Sequence, residues 1–171
     1  PARGTIVFVH GGGFTGGDKS DPTGLSGPIL AQLGRGWDVV SVNYRLNRGD
    51  FAPWPAAVDD VAAALAWVRG HGSEVGLGTT RIVTAGHSAG GTLATLVALA
   101  SNSGANALLL PKVESADAIR HMESIMRANG APDSMTIWAM METPRSILES
   151  QRIAESTPRM EGLVMGTSDL A

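Results

Sequence analysis

The sequence predicts an α/β fold, a mostly parallel sheet in a three-layer arrangement with flanking helices. Three observations predict it. Short β-branched or apolar runs recur at Thr5–Val9, Asp38–Tyr44, Arg81–Ala85, Ala107–Leu110, Thr136–Met141 and Gly162–Met165. Stretches of helical spacing separate most of them, as in alternating strand–helix architectures. The intervals are long enough for the crossovers that parallel neighbours need.

The elements follow in chain order. Thr5–Val9 ends in a glycine cluster and reads as a buried strand, and Asp38–Tyr44 as the second. Pro55–Arg69 is expected to be helical, because apolar residues at 58, 61, 62, 65 and 68 share a face and Pro55 suits a first turn. Gly70 and Gly72 are expected to stop it. Arg81–Ala85 is the third strand, and Ala89–Ala100 is apolar enough to be buried on most sides. After the strand Ala107–Leu110, Ser115–Asn129 reads as an amphipathic helix with Ala118, Ile119, Met122, Ile125 and Met126 inward. Thr136–Met141, a short helix over Ser146–Glu155 and the strand Gly162–Met165 complete the pattern.

Composition bounds the function. The chain has 171 residues, 43% hydrophobic and 17% charged, which suits a globular domain rather than a disordered chain. No apolar run approaches the ~18 residues of a membrane span. A net charge of −3 argues against a nucleic-acid surface. The absence of cysteine excludes disulfides, thiolate metal sites and thiol nucleophiles. The start at Pro1 without a signal-like segment reads as a processed form or a fragment, with the cytoplasm as default location. Composition also shifts along the chain. Of the 22 glycines 18 precede residue 104, and all seven methionines lie from Met122 onward. Two segments, 1–103 and 104–171, are therefore expected, joined near the loop-forming run Ser101–Gly104.

The first chemical signal is Gly86-His87-Ser88-Ala89-Gly90, a G-x-S-x-G pattern between a strand and a helix. A sharp turn there projects the serine, and glycines remove the Cβ atoms that would clash. The second is His10-Gly11-Gly12-Gly13-Phe14 after the first strand. It lacks the Gly-Lys-Ser/Thr of a phosphate loop. It also lacks a helix opening at the glycines, which leaves exposed N–H groups for an oxyanion.

These residues resemble the α/β-hydrolase fold of esterases of the hormone-sensitive-lipase type. Val42-Asn43-Tyr44-Arg45-Leu46 and Phe51–Asp60 extend the resemblance to about residues 4–101. It implies an incomplete α/β-hydrolase-like domain acting on a small-molecule ester or acyl substrate without a cofactor. It also implies Ser88 as nucleophile, with the N–H groups of Gly12, Gly13 and Ala89 as the oxyanion hole. The family's acid and histidine lie well downstream of the serine. Only His121 follows Ser88, within an expected helix. His87 adjoins the serine and is expected to point away from it, while His10 falls in the oxyanion loop. The triad therefore reads as incomplete.

A second signal follows residue 104. Glu142 and Asp169 each stand just past an expected strand and so share a sheet rim. Such acids are often helix caps or solvated, but two carboxylates there also suit a hard cation such as Mg²⁺. Leu109–Ser115, Ile137–Arg145 and Gly162–Ala171 resemble, in order, segments of the citrate-lyase β-subunit and malyl-CoA-lyase group of TIM-barrel aldolases. That resemblance implies a βαβαβ piece of barrel origin, with Mg²⁺ on Glu142 and Asp169 and acyl-CoA thioesters as substrates. The whole chain then reads as a fusion of two fragments. If both parts share one sheet, Glu142 falls near the place of the hydrolase acid, and Ser168 or Asp169 takes that of the histidine. Three readings follow: an impaired serine esterase, a lyase-type fragment, and a non-catalytic α/β chain. No nucleic-acid partner and no membrane span are expected, and exposed sheet edges invite oligomerisation.

Overall fold

The computed structural model describes residues 2–21, 27–49, 55–99 and 104–165. Among the described residues, six strands form one sheet: β1 (Thr5–Val9), β2 (Asp38–Val42), β3 (Ile82–Gly86), β4 (Ala107–Leu110), β5 (Thr136–Met141) and β6 (Met160–Met165). Their order is β2-β1-β3-β4-β5-β6, and every pair is parallel. All residues of β1, β3 and β4 are buried, which explains why they read as continuous apolar runs. At the edge, β2 is mostly half-buried.

Among the described residues, six α-helices lie between the strands: α1 (Gly27–Leu33), α2 (Ala56–His71), α3 (Ala89–Leu99), α4 (Ala116–Ala128), α5 (Pro144–Leu148) and α6 (Ser150–Ala154). They divide between the two faces of the sheet. Val61 and Leu65 of α2, Leu93 and Val97 of α3, Ile119 of α4 and Ile153 of α6 pack in one cluster with Val7, Val9 and Leu108. Ile29 of α1 packs in a second cluster with Ile6, Phe8, Val83 and Leu109. The alternation along β1, with Val7 and Val9 to one side and Ile6 and Phe8 to the other, is the two-residue strand period. The layers thus agree with the expected α/β architecture.

Several local expectations are corrected. Gly70 does not end α2. It lies inside the helix, where a Cβ would meet nothing within 4 Å, whereas Gly72 caps α2 as expected and opens a 3-10 turn, Gly72–Val75. Ala62 and Ala118 face outward, because the buried stripes run through Ala57, Val61, Leu65 and Val68 in α2 and through Ala116, Ile119 and Met126 in α4. The single helix expected over 146–155 is two short ones that break at Glu149. The first starts earlier, because Thr143 and Ser146 form a reciprocal capping box with Pro144 in the first turn. The expected strand ends shift by a residue or two, and α1 had no signal.

One feature of the topology positions a site. From β1 the chain leaves through α1 on one face to β2. It returns through α2 to β3, beside β1, and leaves again through α3 on the other face. The carboxyl ends of β1 and β3 therefore flank a topological switch point, where open α/β sheets bind ligands.

Candidate active site at the switch point

Both glycine-rich signals meet at this crevice. Pairing of β1 with β3 ends at Val9 and Gly86 and is extended by the His87 N–H donating to the Val9 carbonyl at 3.1 Å. Ser88 follows with φ +52°, a left-handed conformation that a non-glycine residue rarely adopts. The turn is closed on both sides. A Cβ on Gly86 would lie 2.3 Å from the Gly90 carbonyl carbon, and one on Gly90 would lie 2.1 Å from the Val9 oxygen. Glycine is required at both positions because the elbow presses backbone against backbone.

Ser88 is exposed at the amino end of α3. Ala89 is the first residue of that helix, so its N–H has no carbonyl four residues earlier within the helix. Across the crevice, Gly12 and Gly13 adopt φ +114° and +60°. The Gly12 carbonyl accepts from the N–H groups of Thr15 and Gly16 at 3.1 and 3.0 Å, which turns the loop back on itself. Among the described residues, the N–H groups of Gly12 and Gly13 make no hydrogen bond. The loop is braced from behind. His10 is buried, donates from Nδ1 to the Gly11 carbonyl at 2.7 Å, and stacks on Tyr44 at 4.5 Å between ring centroids. The Tyr44 hydroxyl donates to the His10 carbonyl at 3.2 Å, and burial raises its pKa.

All four histidines lie in the described residues, and none is hydrogen-bonded to Ser88 Oγ. His10 belongs to the brace. His71 pairs with Glu74 at the end of α2, and His121 is exposed on α4. His87 is exposed, with its Nδ1 beside Gly11.

Glu142 follows β5 on the same rim as Ser88. The two strands flank β4, which separates them by about 10 Å across the sheet. Its Oε1 accepts from the Lys112 N–H at 2.7 Å, so the carboxylate ties the loop after β4 to the end of β5. Lys112 itself has φ +50°. Asp169 and Ser168 lie outside the described residues. Among the described residues no group of three or more His, Cys, Asp or Glu is placed to hold a metal.

Two cavities open here. A groove of about 350 Å³ beside Ser88 is lined by Gly91, Thr92, Thr95, Leu96 and Pro111. A cavity of about 500 Å³ behind the glycine loop is lined by residues including His10, Asp18, Asn43, Tyr44 and Arg48. There the Asp18 carboxyl is held well below the usual carboxylate range by hydrogen bonds from the Ser20 hydroxyl and N–H and from Asn43. Sequence reasoning missed the groove. Part of its signal was present, since residues 91, 92 and 95 follow Ser88 at the 3, 4 and 7 spacing of one helix face. Pro111 joins them only through the pairing of β3 with β4.

A parallel sheet with an exposed serine on a strand-to-helix elbow, facing a glycine loop, defines the α/β-hydrolase class. The profile of the BD-FAE family matches residues 2–156, and the chain belongs to that family. The match crosses the expected boundary at 103/104. Among curated proteins, the chain is 44% identical over 95 residues to esterase LipI of Mycobacterium tuberculosis, covering 54% of this chain and 28% of that one. It is also 41% identical over 75 residues to a (3S)-malyl-CoA thioesterase of Cereibacter sphaeroides, covering 44% and 24%. The chain thus spans about a quarter of the length of these relatives. A solved thermophilic esterase of Thermogutta terrifontis shares the fold, with a TM-score of 0.60 and 23% identity over 97% of this chain and 72% of that one. Among the described residues, no helix is long and apolar enough to cross a membrane.

Proposed function

We propose that the chain carries the nucleophile and oxyanion part of a carboxylic-ester hydrolase site and lacks its general base. Ser88 is the nucleophile, and the N–H groups of Gly12, Gly13 and Ala89 receive the carbonyl oxygen as it gains charge. The observation that carries this is the left-handed, exposed Ser88 on an elbow that only glycines permit. The substrate is a small ester, and no cofactor takes part. Attack by Oγ requires its proton to leave, and a serine without an adjacent base is a weak nucleophile at neutral pH. With no histidine bonded to Ser88, turnover is slow, and Glu142 stands at the acid position with no histidine to orient.

Added imidazole tests this reading by supplying the missing base. Cleavage of p-nitrophenyl acetate is expected to rise with imidazole in the wild type beyond both Ser88→Ala and imidazole alone. In that reaction the Oγ–acyl bond forms, the bond to p-nitrophenolate breaks, imidazole takes the Oγ proton, and water then releases acetate. Identical rates for wild type and Ser88→Ala at every imidazole concentration would refute it.

A second reading rests on the match to the malyl-CoA thioesterase. In it, residues 104–171 descend from a lyase-type barrel and were fused to residues 1–103, and Glu142 and Asp169 hold Mg²⁺. The described residues supply one of those ligands, whereas a hard divalent cation takes six or more oxygens, so no catalytic step is derived through the metal. Mg²⁺-dependent thermal protection that is lost in Glu142→Ala would support this reading, and its absence in the wild type would remove it.

A further inference from the structure

We infer that a cavity at the amino end of the sheet, on the face that α1 covers, binds a small aromatic carboxylate, at a site separate from Ser88 and independent of its role. The cavity measures about 220 Å³, and its lining includes three arginines, Arg3, Arg35 and Arg81, and two tryptophans, Trp37 and Trp138. Arg3 precedes β1, Arg35 and Trp37 precede β2, and Arg81 precedes β3. Ser88 follows the opposite end of β3, roughly 15–20 Å away by the rise of a strand. Close backbone approach brings these segments together. The Arg3 N–H donates to the Gly36 carbonyl at 2.7 Å, which sets Arg3 beside the turn that carries Arg35. Trp37 nests against Gly4, where a Cβ would lie 2.8 Å from its ring.

Charge and shape define the ligand. Three guanidinium groups line the cavity with a single carboxylate, Glu161, in a chain whose net charge is −3. Glu161 is taken up by its ion pair with Arg81. Arg3 and Arg35 are exposed, and among the described residues their side chains make no hydrogen bond or ion pair. Two guanidinium groups are thus left for an anion, and their planar forks match a carboxylate. The walls are flat and apolar. Trp37 and Trp138 are both buried and meet edge to face at 5.1 Å, and the Trp138 Nε1–H donates to Glu161 at 3.1 Å, which fixes that ring. Gly162 pairs with Trp138, and a Cβ on it would lie 3.4 Å from the indole. Glycine there leaves that part of the ring uncovered, so a second ring can stack on it. The volume lies below the ~300 Å³ at which drug-sized ligand sites begin, which leaves room for one ring rather than a nucleotide.

The test titrates benzoate into the full chain and follows the indole N–H signals by NMR. The signals of Trp37 and Trp138 are expected to shift saturably, with a dissociation constant on the order of 1 mM, while that of Trp67, exposed on α2, stays in place. Cyclohexanecarboxylate keeps the charge without the flat ring, and benzyl alcohol keeps the ring without the charge. Both are expected to bind more weakly than benzoate, as is inorganic phosphate. Arg3→Gln and Arg35→Gln change exposed side chains and are each expected to weaken benzoate about fourfold. Gly162→Val places a side chain over the Trp138 ring at a strand position that suits valine, and is expected to abolish the shift. No saturable shift with benzoate overturns the site, as does a shift that survives both arginine variants unchanged. Equal binding of cyclohexanecarboxylate or phosphate overturns the aromatic carboxylate as its ligand. None of these outcomes depends on turnover at Ser88.

Discussion

Glycine matters in this chain at a few positions for opposite reasons, and one substitution separates them. Alanine at Gly90 would place a methyl 2.1 Å from the Val9 oxygen and 2.3 Å from the His10 oxygen, both backbone atoms that cannot step aside. Gly90→Ala is therefore expected to destabilise by about 3 kcal/mol or more and to push Ser88 out of the crevice. Alanine at Gly70 meets nothing, and the residue lies in α2 with helical neighbours. Gly70→Ala is expected to stabilise by roughly 0.5–1 kcal/mol. Urea midpoints of the two variants check both signs. The Gly90 constraint was legible in the sequence, because the elbow is local and its spacing is fixed. Gly70 misled, since a helix that continues through a glycine looks the same in sequence as one that ends there.

Elements built on buried runs were the most legible. Thr5–Val9, Ala107–Leu110 and Thr136–Met141 appear as expected, because the interior of a parallel sheet demands apolar residues at consecutive positions. The α1 helix was invisible for the converse reason. It has seven residues and leaves Leu30 and Leu33 about half exposed, so no apolar stripe marks it. The groove at Ser88 was illegible because Pro111 reaches it through strand pairing rather than through spacing. Neither did any pattern mark Arg159, which fastens β6 to the loop before β5. Its side chain is 5% exposed and donates to the carbonyls of Pro132 and Met135 at 2.7 and 3.1 Å and to Asp133 Oδ1 at 2.8 Å. Arg159→Ala leaves two carbonyls without these donors. It is expected to cost about 3 kcal/mol, measurable as a lowered urea midpoint and as faster amide exchange in β5 and β6 than in β1.

At the scale of the molecule, one sheet holds strands from both sides of the expected 103/104 boundary. Val83, Thr84 and Ala85 of β3 pair with Ala107, Leu108 and Leu109 of β4. On the α1 face, a second tie crosses the same boundary. Arg81 lies near the rings of Trp37 and Trp138, which meet edge to face at 5.1 Å, and forms an ion pair with Glu161. Glu161 also accepts from Thr136 Oγ1 at 2.5 Å and from Trp138 Nε1 at 3.1 Å. Burial pushes its carboxyl upward, but the hydrogen bonds from Arg81, Thr136 and Trp138 and the Arg81 charge outweigh it and hold the pKa at about 2, against an ordinary 4.5. The folded protein therefore binds this proton less readily than the unfolded chain. The stability it contributes is present in full above about pH 4.5 and is lost as pH falls toward 2. The urea midpoint of the wild type is expected to fall through that window more steeply than that of Glu161→Gln. Glu123, whose carboxyl is lowered chiefly by Thr157 and Arg127, is common to both proteins and cancels in the comparison. Because Arg81 and Glu161 stand on opposite sides of the boundary, acid is expected to release both sides together. Amide exchange in β1 and in β5 should then accelerate in parallel between pH 4.5 and 2. Acceleration in β5 and β6 alone, with β1 unmoved, would mean that the two segments unfold as separate units despite their shared sheet.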